Sequence, residues 1–221
     1  MSTGAEAAAR DGGPESPLVV VHEDAHVVAL DKPAGLLCVP GRGAEGLVRN
    51  LWSLALPRWP TLRIVHRLDQ ATSGLVLFAL DADAHRTLSA AFENRAVDKR
   101  YEALVHGWPA GESGSIDLPL AADWPNRPRQ RVDRERGKPS LTHWRALARG
   151  AGESRLELQP VTGRSHQLRV HLATIGHPVR GDRLYGPTDD AAPRLMLHAH
   201  SLRLLHPVRG GELALESAVP F

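Results

Sequence analysis

His66-Arg67-Leu68-Asp69-Gln70-Ala71-Thr72-Ser73-Gly74 runs straight into the apolar stretch Leu75 to Leu80. A polar loop feeding a short apolar run with glycine at its head predicts a buried strand over Gly74 to Leu80. Asp69 then sits at a loop–strand junction among Arg67, Thr72, Ser73 and Gly74. That setting suits a nucleophile, which needs access and nearby hydrogen-bond donors. It equally suits a carboxylate that only caps a loop.

Outward from this stretch, the expected elements fall into place. Asp81 caps a helix reaching Arg95, with Ala84, Leu88 and Phe92 on one face. Upstream, Leu18 to His22 and His26 to Leu30 form strands around a Glu23-Asp24 turn, and Asp31 to Gly35 is a loop. Gly46 to Leu56 has helical apolar spacing. Downstream, Tyr101 to Val105, Leu141 to Ala148 and Leu156 to Val161 are strands. Ser165 to Ile175 is a helix stopped by Gly176. Leu195 to Leu205 fits helix or strand, and Leu213 to Leu215 is a last edge strand. Strands outnumber helices without regular alternation, so the expected class is α+β with a mixed, mostly antiparallel sheet. No repeat of fixed period is present.

The chain has 221 residues and a formal charge of +2. One domain over residues 18–221 is expected, after a flexible tail at 1–17 rich in Ala, Gly, Ser and Pro. A single cysteine, Cys38, excludes a disulfide framework and a multi-cysteine metal site. Leu75 to Leu80 is far short of the ~18 apolar residues of a membrane span, and the N-terminus has no signal-peptide core. A cytoplasmic protein is expected. Of 27 basic residues, 24 are arginine, a skew that reflects base composition, bidentate anion recognition, or both. Residues 1–31 hold six acids and one base, which leaves 26 basic and 19 acidic residues in the remaining body.

Several patterns compete for the chemistry. Gly41-Arg42-Gly43-Ala44-Glu45-Gly46 fits a dinucleotide fingerprint, but Pro33 and Pro40 break the strand that should feed it, so a surface loop is expected. Asp81-Ala82-Asp83, with Asp182 and Asp189, could serve a magnesium-dependent phosphatase, although Asp81 is also a good helix cap. The pairs His166/His171 and His198/His200 lack carboxylates at ligand spacing, so no metal site is expected. Thr162 to His171 opens a helix with Arg164 near its positive end, which favours a bound anion. Trp124 to Lys138 carries six basic and two acidic residues. Extended, it would align Arg127, Arg129 and Arg131 on one side, suiting a phosphate backbone; a solvated hairpin is the plainer reading.

Together these elements resemble the RluA family of pseudouridine synthases over nearly the whole chain from Leu18. His66 to Gly74 is similar to the family's catalytic signature, and Thr162 to His171 to its second one. Asp31 to Gly35 resembles its lysine–proline turn, Lys99-Arg100-Tyr101 its tyrosine segment, and Asp123 to Pro128 a tract of one branch. The resemblance implies the pseudouridine synthase fold and isomerisation of uridine to pseudouridine in RNA. Asp69 would be the nucleophile, attacking sugar or base, and Arg169 would pair with it. Tyr101 would stack on the flipped base and serve as, or stand near, the general base. Arg67, Thr72, Arg127, Arg129, Arg131, Arg164, His166 and Gln167 would contact RNA. No cofactor, no metal, no membrane and no obligate protein partner is implied, and no additional S4 domain fits the length. The implied partners are 23S rRNA (position 746) and the tRNA anticodon stem-loop (position 32). A non-catalytic RNA-binding protein of the same fold, or the Asp81 phosphatase, is the alternative.

Overall fold

A computed structural model describes residues 18–41 and 49–221. The tail expected at 1–17 and most of the Gly41–Gly46 loop lie outside the described residues.

One ten-stranded sheet organises the chain. β1 (Val19–Glu23) and β2 (Val27–Lys32) form the expected N-terminal hairpin. α1 (Leu51–Ala55) follows; it starts after Asn50 because the Asn50 side chain accepts the Ser53 amide, so the helix is shorter than its periodicity suggests. β3 (Arg63–Ile64) is a short edge piece leading to β4 (Ser73–Ala79). α2 (Ala82–Glu93) is capped as expected, Asp81 accepting the amides of Asp83 and Ala84. β5 (Asp98–His106) and β6 (Ser113–Asp117) come next, then a separate small hairpin of β7 (Leu120–Ala122) and β8 (Gln130–Val132). β9 (Leu141–Arg149) and β10 (Glu153–Pro160) pair before α3 (Gln167–Thr174). β11 (Leu197–Leu205) and β12 (Glu212–Glu216) close the fold, settling the ambiguous Leu195 to Leu205 as strand.

The sheet order is β1-β2-β4-β11-β5-β10-β9-β6, with β3 added to β4 and β12 to β11. Among the described residues every strand pairing is antiparallel except β4 with β11, which join in parallel at Ser73–His198 and Gly74–Ala199. All seven residues of β4 are buried because both of its faces are covered. Leu75, Leu77 and Ala79 pack with α2 residues Ala84 and Leu88; Val76 and Phe78 face α1 residues Leu51 and Ala55 and also Leu68. A third core joins Ala103, Val105, Leu156 and Leu158 to Leu168 and Leu172 of α3. β10 alternates half-buried and buried residues, which is the period-two signature of a sheet with one covered face.

Gly74 has a sharp reason to be glycine. Its φ is +112°, and a Cβ there would lie 2.3 Å from the Ala199 carbonyl oxygen. The close parallel junction therefore needs a residue without a side chain. α3 begins two residues later than its sequence suggests because His166 takes a left-handed conformation, φ 55°. It stops at Gly176, φ +87°, as expected.

Candidate active site

The Asp69 turn is built on a buried lysine. Lys32 ends β2, is fully buried, and donates through Nζ to the carbonyls of Pro33 (2.9 Å), Leu36 (2.8 Å) and Gln70 (3.1 Å). The Gly35 amide also donates to the Gln70 carbonyl (2.9 Å), and the Thr72 amide to the Asp69 carbonyl (3.2 Å). Burial pulls the Lys32 pKa down to about 8, against the charges of Cys38, Asp69 and Asp31, which hold it up. His66 fixes the other end. Its Nε2 accepts the Leu77 amide (2.8 Å), filling a ladder position beyond the short β3, and its ring stacks on Phe92 at 4.4 Å. Burial, with Lys99 nearby, pushes the His66 pKa down to about 3, consistent with an acceptor that carries no charge.

Asp69 is half-buried, and its carboxylate has no hydrogen-bond or ion-pair partner among the described residues. It lies where two cavities of about 460 and 880 Å³ meet, sharing that wall with Arg67, Leu68 and Arg169. The smaller is lined by Arg67, Arg95, Lys99, Arg164 and Arg169 against two carboxylates, Asp69 and Glu93. The larger has Arg67, Arg169, Arg183 and Arg194 against Asp69 alone. In both clefts cations outnumber carboxylates, and Asp69 is the carboxylate common to the two, a field that attracts polyanions.

Arg169 does not pair with Asp69 here, contrary to expectation. Its Nε and Nη2 donate to Asp182 Oδ2 (2.7 Å) and Oδ1 (2.6 Å). Burial lowers the Arg169 pKa, but the hydrogen bonds and charge of Asp182, with Asp69 and Tyr185 adding, outweigh it, so the guanidinium stays charged. Tyr185 lies 5.1 Å from that guanidinium. Its hydroxyl accepts the Gln130 amide (2.8 Å), leaving its proton for His166 Nδ1 at 2.7 Å. His166 is thereby held as a neutral imidazole, and burial lowers its pKa further.

Tyr101 lines the smaller cavity and packs beside Leu68 and Ala199. Burial, then the Asp69 and Cys38 charges, raises its pKa above the usual value. A phenol held protonated can donate a hydrogen bond or stack on a base.

The other expected residues divide. Arg67 is exposed on the wall between the cavities and lies 3.5 Å from the Ser165 hydroxyl. Arg164 is exposed beside the smaller cavity. Thr72 is 3 % exposed and closes the Asp69 turn rather than projecting outward. Gln167 is corrected: its Oε1 accepts Thr162 Oγ1 and the Arg164 amide, and its Nε2 donates to the Leu141 carbonyl and Thr142 Oγ1. No capacity remains for RNA, so Gln167 ties α3 to β9. Arg127, Arg129 and Arg131 do not line up on one ribbon. Residues 124–126 form a 3₁₀ turn and only Arg131 lies on β8. Arg127 stacks on Trp124, Arg129 donates to the Leu184 carbonyl, and Arg131 pairs with Asp133 (3.1 Å).

The phosphatase alternative loses its residues to structural work. Asp81 caps α2 and also bonds His26 Nδ1 at 2.7 Å, while Asp182 holds Arg169. Among the described residues no cluster of His, Cys, Asp and Glu is arranged to hold a metal ion. His171 lies buried between Thr142 and the Leu118 carbonyl. Sequence reasoning gave no role to Lys32 and Tyr185, and named Asp182 only within the phosphatase alternative. The Asp31 to Gly35 turn at the end of the apolar run Val27 to Leu30 was the available signal for Lys32.

A family model described as RNA pseudouridylate synthase matches residues 26–174. The chain belongs to the RluA family of pseudouridine synthases and is an RNA pseudouridine synthase. It is 42% identical over 212 residues to the dual-specificity RNA pseudouridine synthase RluA of Escherichia coli K12, covering 94% of this chain and 96% of that one. The RluA enzyme of Vibrio cholerae is 44% identical over 197 residues, covering 88% and 80%. Among solved structures, human RNA pseudouridylate synthase domain containing 1 superposes with a TM-score of 0.77 at 30% identity, covering 96% and 87%.

Proposed function

We propose that this enzyme uses Asp69 as its nucleophile and modifies both 23S rRNA and the tRNA anticodon stem-loop in the cytoplasm. The observation that carries the mechanism is the unpartnered Asp69 carboxylate at the meeting point of two cationic cavities. The Asp69 carboxylate forms one transient bond to the nucleotide and releases it again; the N1–C1′ bond breaks, the base turns, C5–C1′ forms, and the proton lost from C5 is matched by one gained at N1. Product and substrate are therefore isomers, and no redox group or nucleotide is consumed.

The uridine must first leave its stack, at a cost of a few kcal/mol. Arg67, exposed on the wall beside Asp69, fills the gap, and Tyr101 stacks on the extruded base. Lys32 keeps the Asp69 turn in place through its three carbonyl contacts. Arg169, oriented by Asp182, supplies a fixed positive charge toward the reacting base and sugar. Arg164, His166 and the arginines of Arg127 to Arg131 border the RNA path. The bacterial relatives' names carry dual specificity toward RNA, which supports a pair of substrates, and the pair proposed is the one the family resemblance implies.

The test is chemical mapping of pseudouridine on an anticodon stem-loop and on a 23S rRNA fragment, with wild type and Asp69→Ala. Modification of both by wild type and of neither by the variant is expected. An active variant overturns the role of Asp69; wild-type activity on one RNA alone overturns the dual specificity.

A further inference from the structure

Trp124 is the most exposed tryptophan among the described residues, at 66 %. Trp108 is also exposed, but its Nε1 donates to the carbonyls of Gly150 (3.1 Å) and Glu153 (3.2 Å), so it works as a strut. Trp124 Nε1 has no partner among the described residues. The Arg127 guanidinium lies 3.9 Å from its ring centroid, covering one face and leaving the other to solvent.

The turn beneath it is firmly built. The Asp123 amide donates to the Arg129 carbonyl, the Arg129 amide to the Asn126 carbonyl, and Asn126 Nδ2 to Asp123 Oδ2, each at 3.0 Å. The turn is docked on the active-site wall through Arg129 to the Leu184 carbonyl and Gln130 to Tyr185. Pro128 lines the larger cavity that holds Asp69. Trp124, four residues away, is at most about 14 Å from that wall along the chain.

The surroundings favour an anionic, aromatic partner. Arg134, Arg136 and Lys138 are exposed just beyond, and no carboxylate pairs with them among the described residues. Among the described residues, Trp124 is the one large apolar side chain exposed between residues 109 and 146, and the exposed residues near it in sequence include the cations Arg127, Arg129 and Arg131.

We propose that Trp124, backed by Arg127, is a stacking platform for one unpaired RNA base beside the target uridine. The inference rests on the RNA pseudouridine synthase reading and adds a contact to it. The open indole face meets the base, while the guanidinium behind it fixes the ring and donates to a neighbouring phosphate.

The test measures binding of the tRNA anticodon stem-loop, and of copies abasic at single loop positions, to wild type, Trp124→Ala and Trp124→Phe. Trp124→Ala should bind the intact stem-loop about tenfold or more weakly, and Trp124→Phe should recover most of that. One abasic position should weaken wild type by a similar factor and weaken Trp124→Ala no further. Affinity of Trp124→Ala within twofold of wild type, or abasic losses additive at every position, overturns the platform. Wild-type isomerisation of uridine, measured in parallel, separates the two failures. If it is present, only the platform falls; if it is absent, the substrate reading falls.

Discussion

Arg169 and Asp182 form a two-point ion pair inside the active-site wall, with side chains 5 % and 0 % exposed. Asp182 Oδ1 also accepts the amides of Leu184 (2.9 Å) and Tyr185 (3.2 Å), so the carboxylate is anchored before it holds the arginine. The pair therefore sets where the guanidinium points rather than neutralising Asp69. Breaking a buried pair by removing one partner costs about 3–5 kcal/mol. Asp182→Ala should lower Tm strongly. Asp182→Asn keeps one acceptor and should fold, with kcat reduced at least tenfold and KM changed little. Steady-state kinetics beside thermal melts check this; an Asp182→Asn enzyme with wild-type kcat would show that Arg169 needs no orientation.

Lys32 links stability to alkaline pH. Its pKa is about 8 folded and near 10.5 unfolded, so between those values the unfolded chain binds more protons. Stability from this group rises as pH climbs from 8 to 10.5, and the penalty for burying its charge is fully present below 8. Urea unfolding at pH 7.5 and 9.5 should show that increment in wild type and not in Lys32→Met. The variant should also lose most activity at pH 7.5, because three carbonyls lose their donor and the Asp69 turn shifts.

His66 gives the opposite flank. With its pKa lowered from 6.5 to about 3, its contribution is fully present above pH 6.5 and is lost as pH falls through that window. Melting curves at pH 7.5 and 5.0 should show a fall in Tm that is smaller in His66→Gln. An equal fall in both proteins would move the effect to other groups.

Gly74→Ala should not accumulate as folded protein. The added Cβ would overlap the Ala199 backbone at a φ of +112°. Gly35→Ala is the control: its φ is +88° but nothing lies within 4 Å, so a loss of about 1 kcal/mol is expected. Soluble yield and far-UV circular dichroism distinguish them.

Local chemistry made β4 and α2 legible: an unbroken apolar run marks a strand covered on both faces, and Asp81 marks a cap. β6 was missed because Ser113, Gly114 and Ser115 carry little apolar signal; Gly114 instead gives way to the Trp144 ring, 2.8 Å from where its Cβ would be. The motif at 66–74 located the nucleophile candidate, yet the partner of Arg169 was out of reach. Asp182 lies 13 residues on, and only the docking of residues 181–186 on α3 brings it close. The row expected of Arg127, Arg129 and Arg131 failed because alternation holds only in a strand, and the 3₁₀ turn at Trp124–Asn126 gives each arginine a different neighbour.

The place of β11 in the sheet has a consequence for biosynthesis. β11 lies between β4 and β5, although residues 197–205 are made more than a hundred residues after β4. While the chain emerges from the ribosome, the β4 edge beside the Asp69 turn has no neighbour, and the Ser73 hydroxyl lacks His198 (2.9 Å) and Arg194 (2.8 Å). Such long-range closure is slow and leaves an exposed strand edge meanwhile. The enzyme thus acquires a competent centre only when its late-made strand slots in, so a nascent chain halted before residue 197 would carry every signature residue and still be inert.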